Sequence, residues 1–325
     1  MLLKDKYIPK TFDESFLNLN IIKKIKNINK TTMDNIIFYG INGTGKYILA
    51  RMLLENLYGK EIYKIKKQII NFRAKTFYLY SSNYHFEIII NHNNFDKDCL
   101  NNIIKNISQS LNIVNNHKNI ILIKNSEYLE NETMFLIKKL CEKGNISFIL
   151  LTNKLFKLSN TIKHISINIR VPILDENELV SFIKHIKKTE KIKMYIKDIK
   201  EIIRSNNKNI NKILLDIEYF NNYKTINKDN IINDKLDKIL ILIYEKKTDN
   251  ILKIRKILYD ICSKNTCRYV IVKYCFEKML KRIKDNNNKI KLVSFVNEIN
   301  EKLSKSFKNM IHIEYFLIKL MDFIE

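Results

Sequence analysis

The chain has few glycines and prolines and no tryptophan: its 325 residues include five glycines and two prolines. It also lacks any apolar run near the ~20 residues that a membrane-spanning helix needs, so no membrane partner is expected. Apolar residues still make up 46% of the chain. That share is ample for buried cores, and the length predicts two or three domains.

Cysteine and histidine are too scattered to predict a metal site. The five cysteines are odd in number, show no zinc-type spacing, and follow no secretory signal. None of the six histidines pairs with a second histidine or a cysteine at ligand spacing. We therefore expect no metal and reduced, mostly buried thiols in an intracellular protein. The cysteines are Cys99, Cys141, Cys262, Cys267 and Cys275.

Acidic residues are in deficit. Lys and Arg number 58 against 34 Asp and Glu, a formal net charge of +24. Such a charge favours polyanions such as DNA or RNA. Part of the lysine excess reflects the Asn-, Ile- and Lys-rich composition and solvated helix faces, so charge alone names no partner.

Three of the five glycines are concentrated within six residues, between an apolar strand at 36–39 and a helical pattern at 48–58. The spacing Gly-x-x-x-x-Gly-Lys in this context predicts a phosphate-binding loop. Glycines let backbone N–H groups face a phosphate, and the helix N-terminus adds a favourable dipole. The alternative is a glycine turn with an incidental lysine. The candidate binding residues are Gly40, Ile41, Asn42, Gly43, Thr44, Gly45, Lys46 and Tyr47.

Tyr47 stands where this motif has Ser or Thr, whose hydroxyl holds Mg²⁺. A tyrosine hydroxyl lies too far from the backbone to replace it easily. The loop therefore predicts bound ATP or ADP and argues against Mg²⁺.

Strands and helices alternate between Pro9 and Pro172, which predicts an α/β core with a mostly parallel sheet. The predicted strands are 36–39, 76–80, 86–90, 120–124, 148–152 and 167–171. The predicted helices are 48–58, 98–111 and 131–142, with a short one near Lys157.

After Pro172 the pattern is almost wholly helical. It predicts helices beginning near 175, 196, 209, 236, 250, 269, 290 and 312, a linker at 221–228 and a polar loop at 285–289. This order fits an AAA+ P-loop ATPase core (1–172), a small helical lid (173–228) and an all-α collar (229–325).

Over nearly its whole length the chain resembles the small subunits of replication factor C, the eukaryotic sliding-clamp loader. Besides the phosphate loop, the most specific match is Ser82-Asn83-Tyr84-His85-Phe86-Glu87, which is similar to a segment of the subunit numbered three in humans and five in budding yeast. Weaker matches are Asp5-Lys6-Tyr7-Ile8-Pro9, Leu57-Tyr58-Gly59, Arg170-Val171-Pro172 and residues 311–316.

The resemblance implies a hetero-pentamer with other replication factor C subunits, a ring-shaped sliding clamp and primer–template DNA as partners. It implies a nucleotide sensor at Asn153 and DNA contacts from Lys97, Lys105 and Lys118, aided by Asn101, Asn102 and Asn106. It also implies nuclear localisation, or a viral replication compartment if the gene is viral. The apolar stripe Tyr315, Phe316, Leu320 and Phe323 is expected to pack within the collar or against neighbouring collars.

Departures from the family pattern argue against hydrolysis. Lys124 and Asn125 stand where a catalytic ATPase has Asp and Glu, which order Mg²⁺ and the attacking water. Glu127 and Glu130 lie nearby but are poor replacements. Ile165 stands at the arginine-finger position and Asn211 at the sensor-2 arginine, with Lys163 and Lys212 as weaker substitutes.

Two alternatives remain open. One is a free-standing AAA+ ATPase that remodels nucleic acid, and the other is a degenerate adaptor that binds no nucleotide. Tyr84 and His85 are expected to be structural, because no nucleophile or paired carboxylate accompanies them at a useful spacing.

Overall fold

A computed structural model describes residues 2–29, 33–72, 75–90, 97–109, 118–144, 146–223, 230–247, 249–263, 268–306 and 309–323. The chain divides into two compact units, Met1–Ile226 and Asn227–Glu325. Most of the predicted linker, the lid–collar boundary at 228/229, the end of the predicted helix 98–111 and Cys267 lie outside the described residues. The division of the first unit into core and lid stays a prediction.

One seven-stranded sheet forms the centre of the first unit, in the order β2-β3-β4-β5-β6-β1-β7. Strands β4, β5, β6, β1 and β7 pair in parallel, and β2 and β3 extend the sheet as antiparallel strands. The bounds are β1 (Asn35–Tyr39), β2 (Lys66–Phe72), β3 (Lys75–Ser81), β4 (His85–Ile89), β5 (Asn119–Lys124), β6 (Ile146–Thr152) and β7 (Ser166–Arg170).

All six predicted strands are present, within two residues at each end. Strand β2 was not predicted. It lies at the edge of the sheet and exposes Lys66, Lys67 and Gln68, so its sequence shows neither an apolar run nor a clear alternation.

Nine helices occur among the described residues of the first unit: α1 (Leu3–Lys6), α2 (Leu19–Ile25), α3 (Lys46–Tyr58), α4 (Lys97–Gln109), α5 (Asn131–Glu142), α6 (Asn160–His164), α7 (Glu176–Thr189), α8 (Ile196–Ser205) and α9 (Ile210–Tyr223). Short 3₁₀ turns at Lys60–Tyr63, Ser126–Tyr128 and Leu155–Lys157 complete it.

The apolar strands fill two cores at once. Ile36 and Phe38 pack with α2 and α3 on one face of the sheet, whereas Ile37 packs with α4 and α5 on the other. Successive strand side chains point to opposite faces, so strands covered on both sides are apolar throughout. Helices therefore cover both faces, as the alternating pattern predicts.

Helices α7, α8 and α9 have an apolar core of their own, which includes Leu179, Ile202 and Leu214 and is joined by Leu3 of α1. Asp175 caps α7 by accepting a hydrogen bond of 2.8 Å from the backbone N–H of Glu176. The acidic first turn that predicts this helix is thus its true N-terminus.

The second unit is wholly helical in its described part and confirms the predicted fold class. Its helices are α10 (Asn230–Tyr244), α11 (Asn250–Cys262), α12 (Arg268–Arg282), α13 (Asn286–Lys305) and α14 (Asn309–Lys319), followed by a 3₁₀ turn at Leu320–Phe323. Phe316 and Leu320 are buried in this bundle, and Phe295 packs against Phe316 and Phe323. None of its described helices, or those of the first unit, is long and apolar enough to cross a bilayer.

The predicted polar loop at 285–289 is wrong. Asp285 is the N-cap of α13, and its carboxylate accepts hydrogen bonds of 3.2 Å from the backbone N–H groups of Asn287 and Asn288. The asparagine run is typical of a turn, but the cap formed by Asp285 stabilises it as the first turn of the helix.

Candidate nucleotide-binding site

The loop between β1 and α3 is held where only glycine fits. A β-carbon on Gly40 would lie 2.2 Å from the carbonyl oxygen of Val171, and one on Gly43 would lie 2.3 Å from the side chain of Asn209. Gly43 also has a φ of +82°, in the left-handed region. The glycines thus allow the loop to pass beneath the end of β7 and the start of α9.

Lys46 is buried at the first turn of α3 and lies against the loop itself. Its Nζ donates hydrogen bonds of 2.8 Å to the carbonyl oxygens of Gly40 and Ile41, and one of 3.0 Å to Oδ1 of Asn153. Burial lowers the pKa of Lys46 to about 8, although Glu127 favours the charged form. The ammonium thus sits at the centre of the loop.

Asn153, at the end of β6, links Lys46 to a buried carboxylate. Its Nδ2 donates a hydrogen bond of 2.7 Å to Glu127, and its backbone N–H donates another of 3.2 Å. Glu127 also accepts a bond of 3.0 Å from the hydroxyl of Thr152. Glu127 therefore positions Asn153, and its oxygens are occupied by these donors.

A cavity of about 440 Å³ opens over the loop, and we call it the polar cavity because the side chains of Lys46, Lys124, Asn125 and Asn153 line it. Six predicted binding residues line it: Asn42, Gly43, Gly45, Lys46, Tyr47 and Asn153. Ile41 is exposed and contributes its carbonyl oxygen, whereas Thr44 is buried and bonds that same carbonyl at 2.9 Å. The structure thus brings together residues that are 107 positions apart in the sequence.

A second, mostly apolar cavity of about 190 Å³ shares Gly45 and Ile48 with the first. The sequence did not predict its walls, which come from the opening segment, α3, α7 and α9. A sequence signal for this cavity was the segment Tyr7-Ile8-Pro9, which carries part of the family resemblance and lies in the cavity wall. Its apolar lining includes Ile8, Pro9, Phe16, Met52, Phe182 and Leu214.

The positions that depart from the family pattern lie partly in the site. Lys124, Asn125 and Asn211 line the polar cavity. Asn125 donates a hydrogen bond of 3.0 Å to the carbonyl oxygen of Ile90 and so fastens β4 to β5. Of the proposed substitute lysines, neither lines the polar cavity, and Lys163 bonds Asn160 at 3.2 Å instead.

Glu87 corrects the expectation that no carboxylate accompanies His85. The two buried side chains lie two residues apart on β4, and His85 Nε2 is 3.2 Å from Glu87 Oε1. Tyr47 donates its hydroxyl to Glu87 at 3.0 Å, and Lys124 Nζ lies 3.0 Å from Oε2. Sequence inspection missed Glu87 because its partners come from α3 and β5. The structural role of His85 stays a prediction, and the residue is buried with its Nδ1 2.7 Å from the hydroxyl of Ser82.

The expected DNA-contacting residues differ in their surroundings. Lys105, Asn102 and Asn106 are exposed on α4, and Lys118 is exposed before β5. Lys97 is instead paired with Glu132, and Asn101 is half-buried.

Comparisons with known proteins support the resemblance along the whole chain. Residues 230–325 match the family model described as replication factor C subunit 3, C-terminal domain. The chain is 24% identical to replication factor C subunit 5 of Saccharomyces cerevisiae, over 98% of each chain. It is 23% identical to replication factor C subunit 3 of Arabidopsis thaliana, over 99% of this chain and 97% of that one. A protein named as a replication factor C small subunit in Acanthamoeba polyphaga mimivirus is 25% identical, over 99% of this chain and 91% of its own. The chain is therefore similar to the replication factor C small subunits over nearly its entire length, and its residues 230–325 match the model of their C-terminal domain.

Proposed function

We propose that this chain is a subunit of a sliding-clamp loader that holds ATP or ADP without hydrolysing it. The observation that carries the proposal is the contrast within one cavity. The phosphate loop, Lys46 and Asn153 are assembled, whereas Lys124 and Asn125 replace the carboxylates that would order Mg²⁺ and water. Such a site can hold phosphates by charge and backbone N–H groups but offers no general base at these positions.

The two adjoining cavities support a nucleotide as the ligand. Phosphates would lie against the loop and the N-terminus of α3, where anions are stabilised. The apolar cavity next to Gly45 and Ile48 would take the base. This division of a polar end and an apolar end is typical of nucleotide sites.

Partner subunits are the second part of the proposal. The helical bundle of the second unit leaves several large apolar side chains exposed, such as Leu252, Tyr259, Ile290 and Ile311. Exposed apolar groups of this kind are typical of protein interfaces. We propose that they pack against the collars of other replication factor C subunits in a hetero-pentamer.

DNA binding is the third part. A net charge of +24 and the exposed Lys105 and Lys118 would favour phosphate contacts with primer–template DNA, without base readout. Localisation follows from the role: the nucleus in a eukaryotic cell, or a viral replication compartment if the gene is viral.

Co-purification tests the assembly. Tagged full-length chain, expressed in its own host, should bring down four related ATPase subunits and a ring-shaped clamp. If none of them is recovered, the clamp-loader proposal is wrong.

ATP turnover distinguishes this proposal from the alternative of a free-standing ATPase. With DNA and Mg²⁺, the lone chain should hydrolyse ATP no faster than its Lys46→Ala variant.

A nucleotide-binding assay distinguishes the proposal from the alternative of an adaptor that binds no nucleotide. A fluorescent ATP analogue should bind the wild-type chain, and Lys46→Ala should weaken it by about tenfold or more, as expected for the loss of a charged donor. Equal affinity for both forms would remove the phosphate-loop assignment.

A further inference from the structure

A partly buried cluster of charged and polar groups adjoins the phosphate loop. Lys124 Nζ lies 3.0 Å from Oε2 of Glu87 and 3.4 Å from the ring centroid of Tyr47. The Tyr47 hydroxyl donates to both carboxylate oxygens of Glu87, at 3.0 and 3.1 Å. Lys124 and Tyr47 also line the polar cavity beside Lys46. One ammonium is therefore fixed at the wall of the site from two sides.

The surroundings of the carboxylate in this cluster favour its ionised form. Burial by itself would raise the pKa of Glu87, but the bond from His85 and the charge of Lys124 lower it to about 2. Burial lowers the pKa of Lys124, and the same carboxylate opposes that shift. Each of the two side chains, Glu87 and Lys124, therefore favours the charged form of the other.

The residues present do not fit Mg²⁺, the metal that this type of loop implies. The two positions that would ligate it are Tyr47 and Lys124, and their side chains contact each other. A lysine ammonium has no lone pair to offer a metal. Glu127 is occupied by Thr152 and Asn153, and no cluster of three metal-binding side chains occurs in the described part of the chain.

A cation is nevertheless needed where phosphate oxygens converge, because their charges repel one another. We propose that Lys124 supplies it: held by Glu87 and Tyr47, its ammonium replaces Mg²⁺ as a built-in counter-ion, so the site binds nucleoside di- and triphosphates in their metal-free form. This inference rests on the nucleotide binding proposed above. It explains why two departures, at the hydroxyl position Tyr47 and at the carboxylate position Lys124, occur together.

The direct test is nucleotide affinity with and without metal, measured on the full-length wild-type chain. Mant-ADP and mant-ATP are titrated in buffer with Mg²⁺ and in buffer with EDTA. The dissociation constants should agree within about twofold. A loss of about tenfold or more in EDTA would overturn the inference and leave nucleotide binding intact. Absence of binding in both buffers would overturn the nucleotide site and this inference with it.

Variants assign the effect to Lys124. Lys124→Met keeps an unbranched side chain, one heavy atom shorter, and removes the charge, so affinity in EDTA should fall about tenfold, as for one charge-assisted hydrogen bond. Lys139→Met, the same change at an exposed position of α5, should alter nothing. Because Lys124→Met leaves Glu87 without its cation, the double variant Glu87→Gln/Lys124→Met serves as a folded counterpart. Wild-type affinity of that double variant in EDTA would contradict the proposal.

Discussion

Lys46, at the first turn of α3, and Asn153, directly after β6, are joined by a hydrogen bond of 3.0 Å between Nζ and Oδ1. Asn153 in turn donates a hydrogen bond from its Nδ2 to Glu127, so the ammonium of Lys46, an amide and a carboxylate form one hydrogen-bonded chain. The same lysine bonds two loop carbonyl oxygens. A phosphate that reaches Lys46 must therefore compete with these internal acceptors.

The first prediction concerns pH. Because the pKa of Lys46 is about 8, the lysine loses its proton above that pH, whereas a bound phosphate would raise the pKa and retain it. Binding is then coupled to proton uptake, so affinity should fall above pH 8 by up to about tenfold per pH unit. Fluorescence titration of mant-ADP from pH 7 to 10 measures this. Lys46→Met should show weaker binding and a shallower slope, because Lys124 also has a pKa lowered by burial, and a flat wild-type profile would contradict the prediction.

A second prediction concerns the contact between Gly43 and Asn209. Gly43→Ala should lower the free energy of unfolding by about 1–3 kcal/mol, because it strains a left-handed residue and clashes with Asn209. Asn209 caps α9, because its Oδ1 accepts hydrogen bonds from the backbone N–H groups of Asn211 and Lys212. Asn209→Gly removes the clash and leaves a residue that is tolerated at an N-cap. Gly43→Ala should therefore cost less in the Asn209→Gly background, as measured by chemical denaturation. Equal costs in both backgrounds would show that the contact is unimportant.

The third prediction concerns acid stability. The pKa of Glu87 falls from 4.5 to about 2 on folding, so its ionised form stabilises the folded state above pH 4.5. That contribution should be lost as the pH falls from about 4.5 to 2. Urea denaturation across this range should show Glu87→Gln less stable than wild type at pH 5, with the gap closing toward pH 2. The exposed Glu201→Gln should follow wild type throughout.

A fourth prediction concerns DNA. Replacing the exposed Lys105 and Lys118 by alanine should weaken primer–template binding and reduce its salt dependence by about one unit of slope per lost contact. Lys97→Ala should do less, because Lys97 is already paired with Glu132. Fluorescence anisotropy at several salt concentrations measures both. An unchanged slope in the double variant would remove these lysines from the interface.

Local pattern was enough where neighbours in sequence decide the structure. The run from Ile36 to Lys46 predicts a strand, a glycine loop and the start of a helix. A strand covered on both faces requires apolar residues, and a loop whose backbone approaches its neighbours closely requires glycine. The sequence did not predict the edge strand β2 or the asparagine tract in the first turn of α13, for the converse reason. Position at a sheet edge and a single capping carboxylate outweighed local composition.

Contacts across the sheet could not be predicted. Glu87, Tyr47 and Lys124 come from β4, α3 and β5, and nothing in their spacing indicates that they meet. Asn209 against Gly43 and the apolar cavity behind Gly45 are likewise products of packing.

The amino-acid sequence alone determined the class of fold, and it predicted a phosphate-binding loop and the absence of carboxylates at positions 124 and 125, because each depends on residue type at short range. Only the folded molecule decided what replaced them. Parallel strands end at one edge of the sheet. At that edge Lys124, which stands at a carboxylate position, contacts both the buried Glu87 and the ring of Tyr47.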